Sequence, residues 1–342
     1  MEMEMNGQAA LPVVGITMGD PAGVGPEVVV KALLDGEMHK LCRPIVIGDA
    51  AVLRKMAEIL GLPLPVRSVS QIAEARFSSG TADVLDLGNV NLSDLEIGKV
   101  SAMAGKASVE CIFRAIDLAR QGEIGAIVTA PINKKAIQVA GYHYLGHTEI
   151  FVELTNSARS TTMLVSGPLR VTHVTRHVPL SQVASSITRD RVLETICITA
   201  EGLAGFGLAH ARLGVAALNP HGGDGGLLGR EEIEAIAPAV DAARLQGLDA
   251  RGPYPADSIF FRAIAGEFDA VVAMYHDQGH IPIKVYDFEG SFTVTLGLPI
   301  LRTSVDHGTA FDIAWKCVAS SRSLMEAIRW AARWAGKSTG PG

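Results

Sequence analysis

Short runs rich in β-branched residues alternate along this chain with longer stretches that carry apolar residues at helical spacing. This alternation predicts an α/β layered fold with a largely parallel sheet, because parallel strands need a long crossover between them. The predicted strands cover residues 13–18, 44–49, 82–87, 125–130, 161–166, 169–175, 213–219, 269–275 and 292–297. The clearest predicted helices each end at a glycine and cover residues 26–36, 106–122, 189–205 and 230–247.

Composition narrows the class of protein. The chain has 342 residues, 48% of them hydrophobic, which is enough for two domains or one large two-lobed unit. A net charge of -6 without a basic cluster indicates neither a nucleic-acid partner nor a membrane surface. The four cysteines are far apart, and residues 1–11 form an acidic, polar segment without the pattern of a signal peptide. We therefore expect a cytoplasmic protein with free thiols, no membrane span and a loose tail over residues 1–11.

The segments that follow the predicted strands are rich in side chains that bind ligands. In open α/β sheets, ligands bind beyond the carboxyl ends of the strands. The segments are GDPAGVGPE (19–27), TAPINKK (129–135), TRHVPL (175–180), NPHGGDGG (219–226), HDQGH (276–280) and LPILRTSVDHGTA (298–310). Four of them carry a histidine, so they are the places to look for a site.

Two glycine-rich segments have a structural interpretation beside a functional one. Residues 19–27 follow a strand and open a helix, but they lack the GxGxxG spacing of a dinucleotide-binding loop, so a tight turn before a helix is favoured. Residues 219–232 lack the GK[ST] of a phosphate-binding loop. Their glycines either let the backbone pass close to His221 or form a plain flexible loop.

Histidine spacing separates candidate metal ligands from packed residues. His173 and His177 are four apart on a β-rich segment, where they would be ~13 Å apart at ~3.3 Å per residue. That separation is too large for one ion with ligands at ~2.1 Å. We therefore predict that His173 is a packed residue of the strand and that His177, beyond its end, is available to a ligand.

His276 and His280 are also four residues apart. Gly279 and Pro282 oppose a helix, and the Asp-Gln-Gly sequence is typical of a turn, so we predict that the two imidazoles do not bind one ion together. His276, at the strand tip, is the better candidate. Together with His177 and His221 it would make a three-histidine site for a catalytic divalent metal, although histidines at loop tips are also often only solvated.

Cationic residues near these tips indicate an anionic ligand. Arg302 lies in a predicted apolar loop, where its guanidinium would bind a phosphate or carboxylate, or form a salt bridge with Asp277 or Asp306. Lys284 is a second cation near the same tips. Thr148 would bind a ligand or cap a helix.

Seven motifs, in this order, resemble the 4-hydroxythreonine-4-phosphate dehydrogenase family of vitamin B6 biosynthesis. They lie between residues 16 and 312, nearly the whole chain, so their joint signal is far more specific than any one of them. The motifs are ITMGDPAGVGPE, TAPINK, GHTE, LNPHGGDGG, PYPADSIF, AMYHDQG and TLGLPILRTSVDHGTAFD.

The resemblance implies a fold and cofactors. The fold is the two-lobed α/β/α fold of isocitrate and isopropylmalate dehydrogenases rather than a Rossmann domain. One lobe would comprise residues 1–130 plus 285–342 with the NAD-binding loops, and the other residues 131–284 with the metal, substrate and dimer contacts. The family is a homodimer that uses NAD and one divalent cation per subunit (Zn, Mg, Mn or Co), with a metal ligand from the partner subunit.

The resemblance also implies roles for individual residues. The expected metal ligands are His177, His221 and His276. The expected substrate contacts are His147, Thr148, Asp257, Lys284, Thr293 and Arg302, with Asp277 and Lys284 as candidates for proton transfer. The expected NAD contacts are Ser304, Asp306, His307, Gly308 and Thr309. The reaction implied is oxidation of the C3 alcohol of a 4-phosphorylated four-carbon hydroxy acid, with decarboxylation.

Two positions differ from the biosynthetic enzymes. Thr293 stands where they have Asn, and His280 stands where many have Leu. Sequences with this second feature resemble a sister group that acts on D-threonate or D-erythronate 4-phosphate in sugar-acid catabolism, which is the alternative function. A non-catalytic relative that binds a phosphorylated metabolite is a further alternative, against which the complete histidine set argues.

Overall fold

The computed structural model describes residues 11–34 and 36–335, in which twelve strands form one sheet. They are β1 (Val13–Thr17), β2 (Arg43–Gly48), β3 (Val66–Val69), β4 (Ala82–Asp86), β5 (Ala126–Thr129), β6 (Thr161–Ser166), β7 (Leu169–His173), β8 (Leu213–Ala216), β9 (Ala250–Tyr254), β10 (Ala270–Ala273), β11 (Phe292–Leu296) and β12 (Arg302–Val305). All nine predicted strands are present, whereas β3, β9 and β12 were not predicted. The predicted tail lies, except for Leu11, outside the described residues.

The sheet reverses direction near its middle. Its order is β3-β4-β2-β1-β5-β12-β11-β6-β7-β10-β8-β9. β11 is antiparallel to both of its neighbours, β6 is antiparallel to β7, and the other pairs are parallel. The first six strands in this order therefore run one way and the last four the other way. Most neighbouring strands are nevertheless parallel, so the prediction of a largely parallel sheet is confirmed.

Helices cover both faces of the sheet. They are α1 (Gly25–Leu34), α2 (Glu37–Leu41), α3 (Ala50–Leu60), α4 (Ala102–Arg120), α5 (Lys134–Val139), α6 (His147–Thr155), α7 (Val183–Ser186), α8 (Arg189–Gly205), α9 (Ala237–Leu245), α10 (Ala256–Ile264), α11 (His276–Tyr286) and α12 (Arg322–Trp334). The four predicted helices correspond to α1, α4, α8 and α9, with a π-helical turn at Glu232–Ile236 before α9.

Alternating side chains of the strands make the three layers. In β2, Ile45 and Ile47 pack in the apolar cluster that contains Ile112 of α4, whereas Val46 packs in the cluster that contains Val29 of α1. Successive strand residues point to opposite faces, so each buried strand contributes side chains to two apolar cores. The predicted α/β/α layering follows from this pattern. The boundaries predicted for the two lobes remain a prediction.

The prediction of a turn at residues 276–280 is wrong, because these residues begin α11. Gly279 and Pro282 are both inside this helix, against their intrinsic preferences. Tertiary packing decides the outcome. Gly279 is buried against β7, and a Cβ at this position would overlap the Nε2 of His173.

Candidate active site

A cavity of about 1120 Å³ lies over one face of the central strands. The register places Thr162 opposite Thr295 and Leu164 opposite Thr293, and places Thr295 opposite Arg302 and Thr293 opposite Ser304. Residues opposite one another, or two apart on one strand, share a face. The cavity is accordingly lined by Thr162, Leu164, Thr293, Arg302 and Ser304 from the sheet, with α6 and α11 contributing further side chains.

Four histidines border one side of this cavity. The ring centroids of His276 and His280 are 3.6 Å apart and the rings are stacked, because residues four apart share one face of α11. The ring of His177 lies 5.9 Å from that of His276. His173 is buried in β7, as predicted, with its ring 4.9 Å from that of His280. Its two ring nitrogens have no hydrogen-bond partner among the described residues.

His221 lies on an unusual turn outside the residues that line the cavity. Residues 221–225 all have positive φ and form a short left-handed helical stretch, which explains why Gly222, Gly223 and Gly225 occur here. The buried carboxylate of Glu232 accepts hydrogen bonds from the backbone N–H groups of Leu218 and Asn219 and holds the start of the turn. The turn has a defined backbone conformation in this structure and presents an exposed imidazole.

The donor set of this chain fits part of a metal site. Two imidazoles that share one tetrahedral ion at ~2.1 Å have ring centroids roughly 5 Å apart, close to the separation of His177 and His276. The Nδ1 of His276 lies 2.6 Å from the Oδ1 of Asp277, so its Nε2 is free for a ligand. Desolvation, with the charge of Lys134, lowers the pKa of His177 and favours the neutral form that metals bind. Within residues 11–34 and 36–335, no group of three or more His, Cys, Asp or Glu side chains is arranged so that it could hold a metal ion.

Arg302 is a buried cation at the base of the cavity. It begins β12 and is 3% exposed, and its Nη1 and Nη2 donate to the Oγ1 atoms of Thr295 (2.9 Å) and Thr129 (2.8 Å). It forms no ion pair within 4.0 Å among the described residues, so the alternative of a salt bridge with Asp277 or Asp306 is not what this fold contains. Burial lowers the pKa of Arg302. An anionic ligand would restore the missing counter-charge.

His147 and Thr148 reach the same cavity from the start of α6. The N-cap of α6 is Gly146, so Thr148 is not the cap, and it is among the residues that line the cavity. The Nε2 of His147 is buried without a hydrogen-bond partner in the described chain. Burial and the charge of Arg302 lower the pKa of His147 well below its usual value, so its imidazole is neutral.

Lys284 borders the cavity one turn after His280. Its Nζ lies 2.7 Å from the Oδ2 of Asp306 and donates to the Oγ of Ser291 at 2.9 Å. Asp306 therefore pairs with Lys284 rather than with Arg302. The pair is mostly buried and holds the Lys284 side chain among the residues that line the cavity.

The expected NAD loop runs along the mouth of the cavity. Ser304, Asp306 and His307 line it, whereas Gly308 is exposed and Thr309 is buried beside the first glycine-rich loop. The carbonyl of Thr309 accepts a hydrogen bond from the N–H of Val24. The expected NAD contacts are thus divided between the cavity lining and the first glycine-rich loop.

Comparison with known proteins places this chain. Residues 40–331 match the family model described as pyridoxal phosphate biosynthetic protein PdxA. The chain belongs to the PdxA family. D-threonate 4-phosphate dehydrogenase of Cupriavidus necator is 49% identical over 326 residues, which cover 95% of this chain and 98% of that protein. The predicted family is thus confirmed.

Solved structures of PdxA-family relatives confirm the fold. 4-hydroxythreonine-4-phosphate dehydrogenase of Klebsiella pneumoniae superposes with a TM-score of 0.88 at 42% identity, covering 95% of this chain and 99% of that chain. A 4-hydroxythreonine-4-phosphate dehydrogenase of Burkholderia phymatum superposes with a TM-score of 0.84 at 48% identity, covering 96% and 99%. This PdxA-family chain is therefore an oxidoreductase with the predicted α/β fold.

Two expected substrate-site carboxylates of this PdxA-family chain lie outside the cavity lining. Asp257 is exposed in the first turn of α10, and Asp277 points from α11 towards solvent with its Oδ1 on His276. Conversely, Arg176, Thr162 and Glu149 line the cavity and were not predicted as site residues. Arg176 stands beside His177 in TRHVPL, and that adjacency was the available signal.

None of the helices that the structure describes combines the length and apolar character needed to cross a bilayer.

Proposed function

We propose that this chain is an NAD- and divalent-metal-dependent dehydrogenase. Its substrate is a 4-phosphorylated four-carbon hydroxy acid, which is oxidised at C3 and loses CO₂. The observation that carries the proposal is the cavity itself, where the uncompensated guanidinium of Arg302 shares one wall with a pair of imidazoles suited to a metal. Membership of a family of dehydrogenases supports it.

The proposed substrate carries either an amino group or a hydroxyl at C2. The first is 4-hydroxythreonine 4-phosphate, as in the names of the structural relatives. The second is D-threonate or D-erythronate 4-phosphate, and the name of the Cupriavidus necator relative supports it. His280 and Thr293 both line the cavity, so they are placed to contact the group that differs.

His177 and His276 would hold the metal, and Asp277 would orient His276 through its Nδ1. When bound, the cation supplies Lewis acidity that makes a C3 alcohol easier to deprotonate and stabilises negative charge on its oxygen. NAD would lie along residues 304–309 and accept the hydride. Arg302 and His147 would bind the anionic and polar groups of the substrate and so fix C3 in place.

Lys284 has the geometry of a proton donor for the second stage. Loss of CO₂ from a β-keto acid leaves an enolate carbon that must be protonated. Asp306 and Ser291 hold Lys284 among the residues that line the cavity, so the lysine is placed to deliver that proton. Asp277 was the other candidate, but its bond to His276 fits a role in orienting the imidazole.

A second copy of the chain would complete the site. His221 and Asp257 lie on the turn 220–226 and on α10, which contact each other, and both side chains are exposed. Large apolar side chains are exposed around them, including Phe261 (75%) and Leu227 (83%). We propose a homodimer in which this surface is buried and His221 reaches the metal of the other subunit. The four free cysteines are in keeping with a cytoplasmic location.

The test is a substrate panel combined with a metal panel. Metal-depleted protein is mixed with NAD, with Zn, Mg, Mn or Co, and with each of the three phosphorylated acids, and NADH formation and CO₂ release are measured. We expect NADH only with metal present, and its loss in His276→Ala. Absence of NADH with every combination would refute the proposal, and the ranking of the three substrates decides between the amino acid and the sugar acids.

A further inference from the structure

Arg176 is a second guanidinium in the cavity wall without a counter-charge. It follows β7, is partly buried, and its Nη1 donates to the Oγ1 of Thr162 at 3.0 Å. In the part of the chain that the structure describes, it forms no ion pair within 4.0 Å. Arg159 lines the same cavity but is already paired with Glu201 at 3.0 Å. Arg176 is thus the more available of the two cations.

The sheet places Arg176 beside Arg302 through a row of hydroxyls. Thr162 of β6 is directly opposite Thr295 of β11, and Thr295 is directly opposite Arg302 of β12. Side chains directly opposite on one face have Cβ atoms ~4.5–5.5 Å apart. Each arginine donates its Nη1 to one of these two neighbouring threonines. The two guanidiniums are therefore fixed on adjacent anchors at the base of one cavity.

Arg176 and Arg302 donate to neutral threonine hydroxyls, so neither guanidinium has an ion-pair partner among the described residues. A threonine hydroxyl accepts a hydrogen bond but supplies no negative charge. The carboxylate of Glu149 lines the same cavity but lies beyond ion-pair distance of both guanidiniums. Two partly dehydrated guanidiniums with free N–H groups side by side suit a group with several oxygens and two negative charges.

We propose that Arg176 and Arg302 together bind the phosphate group of the substrate, with Thr162 and Thr295 as the residues that position them. Arg302 takes the inner oxygens and Arg176 the outer ones. This inference rests on the proposed function for the identity of the substrate. The assignment of Arg176 and Thr162 goes beyond it, because neither belongs to the expected substrate contacts.

Inorganic phosphate is the probe that tests the paired site. Its affinity for the full-length protein is measured by calorimetry for wild type, Arg176→Gln, Arg176→Lys, Thr162→Val and Arg159→Gln. We expect about tenfold weaker binding in Arg176→Gln, since one charged hydrogen-bonding partner is lost, partial recovery in Arg176→Lys, and a few-fold loss in Thr162→Val. Arg159→Gln should stay within about twofold of wild type, since Arg159 is already paired. Thermal denaturation confirms that each variant is folded.

Two outcomes overturn the paired site. One is wild-type phosphate affinity in folded Arg176→Gln, and the other is absence of phosphate binding by the wild type. In turnover assays, Arg176→Gln should raise KM for the phosphorylated acid and leave KM for NAD unchanged. Phosphate binding does not require turnover, so loss of the proposed dehydrogenase activity and loss of the paired site are separate results.

Discussion

The backbone of Gly279 in α11 lies so close to His173 in β7 that any Cβ at position 279 would overlap the imidazole Nε2. This contact sets the distance between α11 and the sheet. The stacked pair of His276 and His280 is carried by the same first turns of α11. The positions of the His276 and His280 imidazoles thus depend on residue 279 being a glycine, which has no side chain.

Gly279→Ala should therefore destabilise the protein, although alanine is the better helix former. We expect a loss of roughly 1–3 kcal/mol in the free energy of unfolding, because the methyl group must displace α11 or the ring. Denaturant titration measures it. The double variant with His173→Ala lacks the imidazole with which the new methyl group would clash. Its loss in free energy of unfolding should therefore be smaller than the sum of the losses in the two single variants. Strict additivity would show that the contact does not limit packing.

Asp277→Asn should weaken metal binding without unfolding the chain. The carboxylate accepts the Nδ1–H of His276 at 2.6 Å and so fixes the tautomer that leaves Nε2 free. Groups that hydrogen-bond the second ring nitrogen of a metal-binding histidine contribute ~10–100-fold to metal affinity or activity. Competition with a chelator measures the metal affinity. Asp241→Asn, an exposed aspartate of α9, is the matched control, and equal affinities in the two variants would contradict the orienting role.

Mixing two inactive variants tests the shared site. His177→Ala and His221→Ala should each lack activity as homodimers. In a mixed dimer, one of the two sites has both mutations and the other is intact, so random pairing should restore about a quarter of the wild-type activity. Co-expression with two different tags measures this. If the mixture stays inactive while mixed dimers are present, His221 does not act across subunits.

Asp20→Asn should change the pH dependence of stability. The carboxyl of Asp20 is completely buried, and desolvation raises its pKa from 3.8 to about 6, while the N–H of Ala22 opposes the rise. A raised pKa means that the protonated form stabilises the fold below pH 3.8 and that this contribution is lost as the pH rises through about 6.

The asparagine variant stays neutral, so its stability relative to wild type should increase by roughly 2.5 kcal/mol between pH 4 and pH 8. Urea denaturation of both proteins at several pH values gives the difference. Asp241→Asn should give a difference that hardly varies with pH. A flat difference for Asp20→Asn as well would mean that Asp20 is ionised in the folded protein throughout this range.

Local sequence was sufficient for most of the fold. The nine predicted strands are short, β-branched runs bounded by glycine or polar residues, and their pattern depends only on neighbours in the chain. β12 was missed because Arg302-Thr-Ser-Val begins with a cation and two hydroxyl residues. Those residues form a strand because β5 and β11 offer backbone partners on both sides.

The site also contains residues that the sequence indicated and residues whose role only the structure revealed. Motifs by themselves indicated His147, His177, His276, Lys284 and Arg302, and all of these side chains line one cavity. Adjacency to His177 was the only sequence signal for Arg176, and its pairing with Arg302 comes from the register that sets Thr162 opposite Thr295. That register joins residues more than 130 positions apart, so no spacing along the chain reveals it.

The sequence by itself determined the layered α/β class, the order of the elements and the residue types available for metal and anion binding, since these follow from periodicity and composition. Only the tertiary structure decided that α11 is a helix despite Gly279 and Pro282, that the sheet reverses at β11, and that Asp306 pairs with Lys284. The physical reason is that these outcomes depend on close packing and charge pairing between distant segments, which outweigh local preference once the chain is folded.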